Sequence, residues 1–364
     1  MSLSSLTPKA ALEISLRGGF PGKVPFSIYE TKIPQCAAER DLRNRGLCLV
    51  NRKIPVYEVI SPNVKVSEFS YYEGGRKFCR TSYETPLGTL STLGEPAGFT
   101  VWMHEKMYKN PEDYKILKFM VADQQFRPCY QELIEAEKNG GGDVIFRSAL
   151  GLEPLQCFIS GYLMKMEDFC YEWMDRRDEI LAIAAIIREK RQQIAQLIAD
   201  SPVGHANYGG NVVPEIIGKD TFDQYYLPCY NEAAEILHRK GKLLGCHFDA
   251  NCRLLAPSIA ASELDYIEAL TPAPDTDLTL AEARAAWKNK VLWLNFPSSW
   301  HRYPNPEITQ RTHQMLGELE DFHGLIMGIT EDIPPERHLD SCLAIMDGLE
   351  QFPYPENGGN PAKR

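Results

Sequence analysis

Short apolar runs alternate with amphipathic stretches of helical period along most of this chain, and in the C-terminal half the alternation is strict. Val203–Asn207 leads to a helix over Thr221–Lys240, and Leu243–Asp249 to one over Arg253–Ala261. Leu264–Leu270 leads to Leu280–Lys288, Val291–Phe296 to Pro306–Glu320, and Gly324–Thr330 to Leu339–Gln351. Gly241, Asn289 and Gly324 stand where helices should end. Helices alternating with short apolar strands predict parallel β/α units.

The N-terminal half carries the same pattern less cleanly. A helix is predicted over Lys9–Arg17, a strand over Val24–Tyr29, a helix from Gln35 to Arg45, and a strand at Leu47–Val50. Pro111 suits a first helical turn, with about 25 helical residues after it. Asp143–Ala149 reads as a buried strand, and Met166–Ala199 as one long helix with apolar positions Ile180, Ala184, Ile187, Ile194 and Leu197. Val24, Leu47, Asp143, Val203, Leu243, Leu264, Val291 and Gly324 then start eight strands. Eight β/α units predict an α/β fold of the TIM (β/α)8 barrel type, and no G-x-G-x-x-G follows a strand to favour a dinucleotide-binding sheet.

One stretch has a different texture. Val64–Tyr72 and Lys77–Thr85 are aromatic and β-branched runs joined through Glu73-Gly74-Gly75, a hairpin signal. The expectation is a single domain over residues 1–364, with an N-terminal helical segment and a two- or three-stranded hairpin insertion at about 60–95.

Composition narrows the class. The 364 residues carry 39 basic and 49 acidic side chains, a net charge of −10, which argues against a nucleic-acid partner. The longest apolar run, Ile180–Ile187, is too short to span a bilayer. None of the ten cysteines form a C-x-x-C pair, and they read as reduced and structural. A cytoplasmic protein is expected, with a small-molecule substrate and no membrane partner.

In a barrel of this type the chemistry lies at the C-terminal ends of the strands. Polar residues gather there: Tyr29-Glu30, Arg147, His205 and Asn207, His247 and Asp249, Glu268, Asn295, and Thr330-Glu331-Asp332. Residues two apart on a strand share a face, so His247 and Asp249 can act together. Converging with Glu331, they make a divalent-metal site with open positions, or else a hydrogen-bonded cluster in the barrel mouth. His205 and Asn207 repeat the spacing ahead of Tyr208-Gly209-Gly210, where the glycines either let the chain turn around a ligand or only make the turn. Glu268 is a third carboxylate, either at the site or turned outward. Tyr71, Tyr72, Phe78 and Tyr83 either cover a flat substrate or form the hairpin's own packing face. Arg76, Arg80 and Arg147 are candidates to meet an anion.

The stretch from YYLPCYNEAAEILHRKGKLLGCHFDANC through EALTPAPDTD to AAWKNK, with MGITEDIPPERHLD further on, resembles the uroporphyrinogen decarboxylase superfamily. In that superfamily a helix leads into a strand ending in His-x-acidic-Gly or His-x-Cys-Gly. The resemblance spans Pro8 to Phe352 and is strongest from Tyr225 to Asp340. It implies a TIM barrel and an enzyme. The arginine-rich N-terminal element of the decarboxylases is missing, where PFSIYETKIPQCAAER stands instead, and so is their catalytic aspartate motif. The methyltransferase and demethylase branch binds zinc through His-x-Cys and a distant Cys. By position these fall on His247, Asp249 and Glu331, with carboxylates in place of both thiolates.

The resemblance therefore implies a methyltransferase or O-demethylase-like enzyme holding zinc or another divalent metal. The methyl group would pass between a small substrate and a corrinoid on a partner protein, since no D-x-H-x-x-G cobalamin element occurs in the chain. Glu268 and His205 would be catalytic, and Arg147, Asn207 and Tyr208 would bind substrate. The alternatives are a metal-free lyase acting on a tetrapyrrole or small acid, and a non-catalytic binder. A homodimer is open.

Overall fold

The computed structural model describes residues 6–98, 100–210 and 212–359. Its strands are β1 (Phe26–Tyr29), β2 (Leu47–Asn51), β3 (Tyr57–Ile60), β4 (Lys65–Glu73), β5 (Arg76–Thr85), β6 (Gly88–Ala97), β7 (Thr100–Glu105), β8 (Gln125–Pro128), β9 (Val144–Phe146), β10 (Ser148–Gly151), β11 (His205–Tyr208), β12 (Leu243–His247), β13 (Tyr266–Leu270), β14 (Val291–Leu294) and β15 (Leu325–Ile329). Nine of them form one sheet in the order β10-β11-β12-β13-β14-β15-β1-β2-β9. β9 and β10 are one run of chain interrupted at Arg147, so the sheet is an eight-stranded α/β barrel of TIM type. All eight predicted strands are present. They are near-continuous apolar runs because parallel strands in a barrel are buried on both faces.

The chain divides into two compact units. The larger holds the barrel and comprises residues up to Val56, Tyr130–Ala149 and everything from Ile198 onward. Inward side chains fill the ring in layers. Tyr29, Val50, Ile145, Tyr266 and Trp293 share one buried cluster with Leu12 and Leu16 of the helix Pro8–Leu16. That helix starts on Thr7, whose hydroxyl accepts from Ala10 N, and continues from Pro8 in the first turn.

The smaller unit comprises Tyr57–Cys129 and Leu150–Leu197. It contains an antiparallel sheet in the order β4-β5-β6-β7 and a β3-β8 pair. Glu73 pairs with Arg76 across the Gly74-Gly75 turn, as the hairpin signal predicts. The sheet has four strands rather than two or three and continues to Glu105. Tyr71 and Phe78 are direct cross-strand partners with rings stacked 5.5 Å apart, so they are the hairpin's own packing.

Two predicted helices are broken. The one expected after Pro111 gives a short turn at Pro111–Asp113, a helix at Tyr114–Asp123, β8, and a helix at Gln131–Asn139. Pro128 cannot continue a helix and pushes the residue before it toward extended backbone. The long helix divides into Met166–Asp175 and Arg177–Asp200. The break falls in the charged run Asp175-Arg176-Arg177-Asp178, which offers no apolar face to hold a turn. Among the described residues no helix is long and apolar enough to cross a membrane.

Candidate metal centre in the barrel mouth

Alternation along the strands selects the inward residues. On β13 these are Tyr266 and Glu268, on β11 His205 and Asn207, on β1 Ser27 and Tyr29. Glu268 is completely buried and is the hub. Its Oε1 accepts a short hydrogen bond from the Tyr29 hydroxyl. Its Oε2 accepts from Asn207 Nδ2 at 3.0 Å and meets His247 Nδ1 at 2.8 Å. Arg147 Nη1 lies 2.9 Å from Oε1, close enough to pair but off the hydrogen-bonding direction, while Arg147 Nη2 donates to the Tyr29 oxygen at 3.0 Å. Asn207 is itself oriented by the Tyr266 hydroxyl, which donates to its Oδ1 at 2.5 Å.

Burial alone would raise the Glu268 pKa. The charges of Arg147 and His247, and the hydrogen bonds it accepts, hold it well below the usual carboxylate range instead. Directly after Glu268 the strand is irregular. Its register with β14 shifts between Glu268 and Leu270, and Ala269 has a φ of 60°. A non-glycine residue there is strained, and such bulges beside a site re-aim the side chains next to them.

His247 ends β12. With Nδ1 on Glu268, its Nε2 faces Asp249, 3.4 Å from Oδ2. Glu331, two residues past β15, completes the group. One ligand atom from each of His247, Asp249 and Glu331 lies within 4.8 Å of the others, and all three residues are partly buried. Burial disfavours the imidazolium of His247, but Glu268 and Asp249 outweigh it and push its pKa up to about 10. The Glu331 carboxyl is raised by burial and by the nearby Asp249 charge.

The donor set suits a divalent cation. Glu268, Asp249 and Glu331 bring three negative charges into one partly buried space, and Arg147 offsets one of them. A doubly charged ion with a neutral His247 balances the rest. The Glu268–His247 bond has the form seen behind metal-ligating histidines, where a carboxylate fixes the tautomer and aims the other nitrogen. One imidazole and two carboxylates leave further coordination positions open.

Close backbone packing supports His247. Gly210 has a φ of +123°, and a Cβ there would lie 2.1 Å from the His247 carbonyl oxygen. The Tyr208-Gly209-Gly210 turn therefore serves backbone packing against the end of β12.

The structure brings together Glu268, His247, Asp249, Glu331, Asn207 and Arg147, and it sets Tyr208 and His205 apart from them. Tyr208 is on the opposite face of β11, buried against Tyr230 of the helix Leu227–His238, because it is out of step with Asn207 by one residue. It cannot bind substrate in the mouth. His205 faces inward but at the start of its strand, one layer below Asn207, with its ring near Tyr266 and Trp293. Burial, with Arg147 nearby, lowers its pKa to about 3, which favours the neutral ring. Arg147 is buried and paired with Glu268 and Tyr29, a position that organises the site.

The sequence reading assigned no role to Tyr29, Tyr266 or Arg52. Tyr29 and Tyr266 share strand parity with inward residues, which is the signal that would have found them. Arg52, just past β2, lies over the Tyr29 ring with its guanidinium carbon 3.4 Å from the centroid.

No family profile matches the chain, and no curated protein does. Solved structures similar to it include a methyltransferase from Methanosarcina mazei, at 13% identity and a TM-score of 0.47, covering 68% of this chain and 71% of that one. The tandem GH20 catalytic modules of the pneumococcal exo-beta-D-N-acetylglucosaminidase StrH are similar at 9% identity and a TM-score of 0.39, covering 93% and 86%. A second StrH structure gives 9% and 0.40, covering 93% and 84%. Likenesses of this strength carry no functional assignment.

Proposed function

We propose that this protein is a divalent-metal-dependent enzyme that moves a methyl group between a small substrate and a corrinoid on a partner protein, in the manner of an O-demethylase. The observation that carries the metal half is the Glu268–His247 bond, which aims Nε2 at Asp249 and Glu331. The methyl-transfer half rests on the sequence resemblance between Tyr225 and Asp340. Oxygen ligands in place of thiolates suit a Lewis acid toward a substrate oxygen more than a holder of a substrate thiolate.

His247, Asp249 and Glu331 would hold zinc or another divalent cation, which when bound supplies polarisation of a methoxy oxygen. The chain's own residues do the rest. Glu268 keeps the Nδ1 proton of His247 in place, so that Nε2 is the nitrogen a metal would take, displacing the proton it carries in the metal-free protein. Arg147, Tyr29 and Asn207 keep Glu268 ionised and immobile. Arg52, partly exposed over Tyr29 and 3.9 Å from Glu30 Oε2, would be a cation beside the mouth for an incoming substrate.

The metal-free lyase alternative calls on arginines to receive a substrate carboxylate; Arg147 is paired with Glu268, and Arg52 lies 3.9 Å from Glu30 Oε2. The test is metal analysis of purified protein. About one divalent ion per chain is expected, lost in Asp249→Ala and Glu331→Ala variants that stay folded, together with corrinoid methylation from a methoxylated donor. Metal-free protein that decarboxylates a small acid would establish the lyase, and tight ligand binding without turnover would establish a binder.

A further inference from the structure

The smaller unit contains a cavity of about 250 Å³ walled by Met107, Val121, Leu152, Leu163 and Ile187. Gln124, Cys157 and Tyr162 also line it, and one charged side chain, Arg191, enters it. Its Nε donates to the Leu152 carbonyl oxygen at 2.9 Å, and its Nη2 lies 3.6 Å from Cys157 Sγ. Among the described residues no carboxylate pairs with it. The larger cleft beside the barrel, about 440 Å³, is different. There Arg43 meets Glu39 and Asp143, and Arg45 and Lys23 meet Glu350.

The chain makes room for this arginine. Gly151 has a φ of +92°, and a Cβ there would lie 2.9 Å from Arg191 Nη2. The guanidinium rests against bare backbone, fixed through Nε to Leu152 and through one Nη2 donor to Cys157 Sγ, with further donors on its outer nitrogens. Arginine stays charged at any physiological pH. A partly desolvated guanidinium held by neutral partners gains most from a carboxylate, which it can grip with two parallel hydrogen bonds. The side of the wall made by Met107, Val121, Leu152, Leu163 and Ile187 accepts hydrocarbon. The volume holds roughly eight water-sized groups.

We propose that this cavity binds a small apolar monocarboxylate, with its carboxylate on Arg191 and its hydrocarbon against the Val121, Leu163 and Ile187 wall. The site is separate from the barrel-mouth chemistry and does not depend on it.

The test is calorimetric titration of the full chain with hexanoate, 1-hexanol and hexylamine, repeated on the Asp249→Ala variant to remove the mouth as a binder. Hexanoate should bind in both backgrounds, at least tenfold tighter than the alcohol, with no binding of the amine. Arg191→Gln should weaken hexanoate at least tenfold, and Val121→Phe, which fills the cavity without touching the guanidinium, should abolish it. A diazirine-bearing aliphatic carboxylate photolabel on the unaltered protein keeps the proposal open to refutation if either variant fails to fold. Its adducts should map to the segments around Val121, Leu163 and Ile187. Equal affinity for acid and alcohol, unchanged affinity in Arg191→Gln, or adducts mapping elsewhere would each overturn the proposal.

Discussion

Glu268 and His247 lie on adjacent strands in direct register and meet through Oε2 and Nδ1 at 2.8 Å. That single bond decides which ring nitrogen of His247 faces the two carboxylates beyond it. It also joins the ion-paired interior of the barrel to the more open group at its mouth.

Replacing Glu268 by Gln tests this link. The variant removes the charge that balances Arg147 and leaves a buried guanidinium without its partner. A loss of about 3–5 kcal/mol is expected in denaturant unfolding. Where the variant still folds, divalent-metal affinity should fall by about 10–100-fold, because the imidazole is no longer held in one tautomer. Unchanged affinity in a folded variant would remove Glu268 from the site.

Tyr29→Phe is a milder perturbation of the same hub. It deletes one donor to Glu268 and one acceptor for Arg147 while keeping the ring beneath Arg52. A cost of about 1–3 kcal/mol is expected, since both partners are buried. Combining it with Asn207→Ala in a double-mutant cycle should show non-additivity, because both side chains serve one carboxylate.

His205 gives a prediction in pH. Its folded pKa, about 3, lies below its unfolded value near 6.5. The unfolded chain therefore takes up the proton first, and the stability attached to the neutral ring is lost as pH falls below about 6.5. His205→Phe keeps an aromatic ring beside Tyr266 and Trp293 and removes a buried nitrogen, Nε2, that has no hydrogen-bond partner. Between pH 6.5 and 4 the variant should lose less stability than the parent, by on the order of 2–4 kcal/mol. Parallel melting curves across that range would refute the assignment.

Gly210→Ala should damage the site from outside it. The added methyl has no room against the His247 carbonyl, and the backbone there is left-handed. A cost of about 1–3 kcal/mol is expected, together with weaker metal binding than in a matched surface Gly→Ala control such as Gly204, where a Cβ meets nothing.

Most of the barrel was legible because apolar runs at regular intervals have few other uses. The ligand group was legible for a related reason, since strand ends are where polar residues break an apolar run. What the sequence left hidden was depth and parity. His205 and Asn207 share a face, yet only Asn207 reaches the mouth. Tyr208 is adjacent in sequence and faces the helices. Whether Glu268 turned inward was open because the strand carries both parities of apolar residue, and the bulge at Ala269 leaves no mark in residue type. The break at Arg176 was hidden because a helical period runs on either side of it.

The interruption at Arg147 has a consequence for charge balance. β9 pairs with β2 and β10 with β11, so the residue between them sits where the ring of strands is sealed. Its guanidinium is buried there, and its counter-charge comes from Glu268 on β13, elsewhere around the wall. The residue that closes the cylinder is thus also the one that balances the charge at its centre.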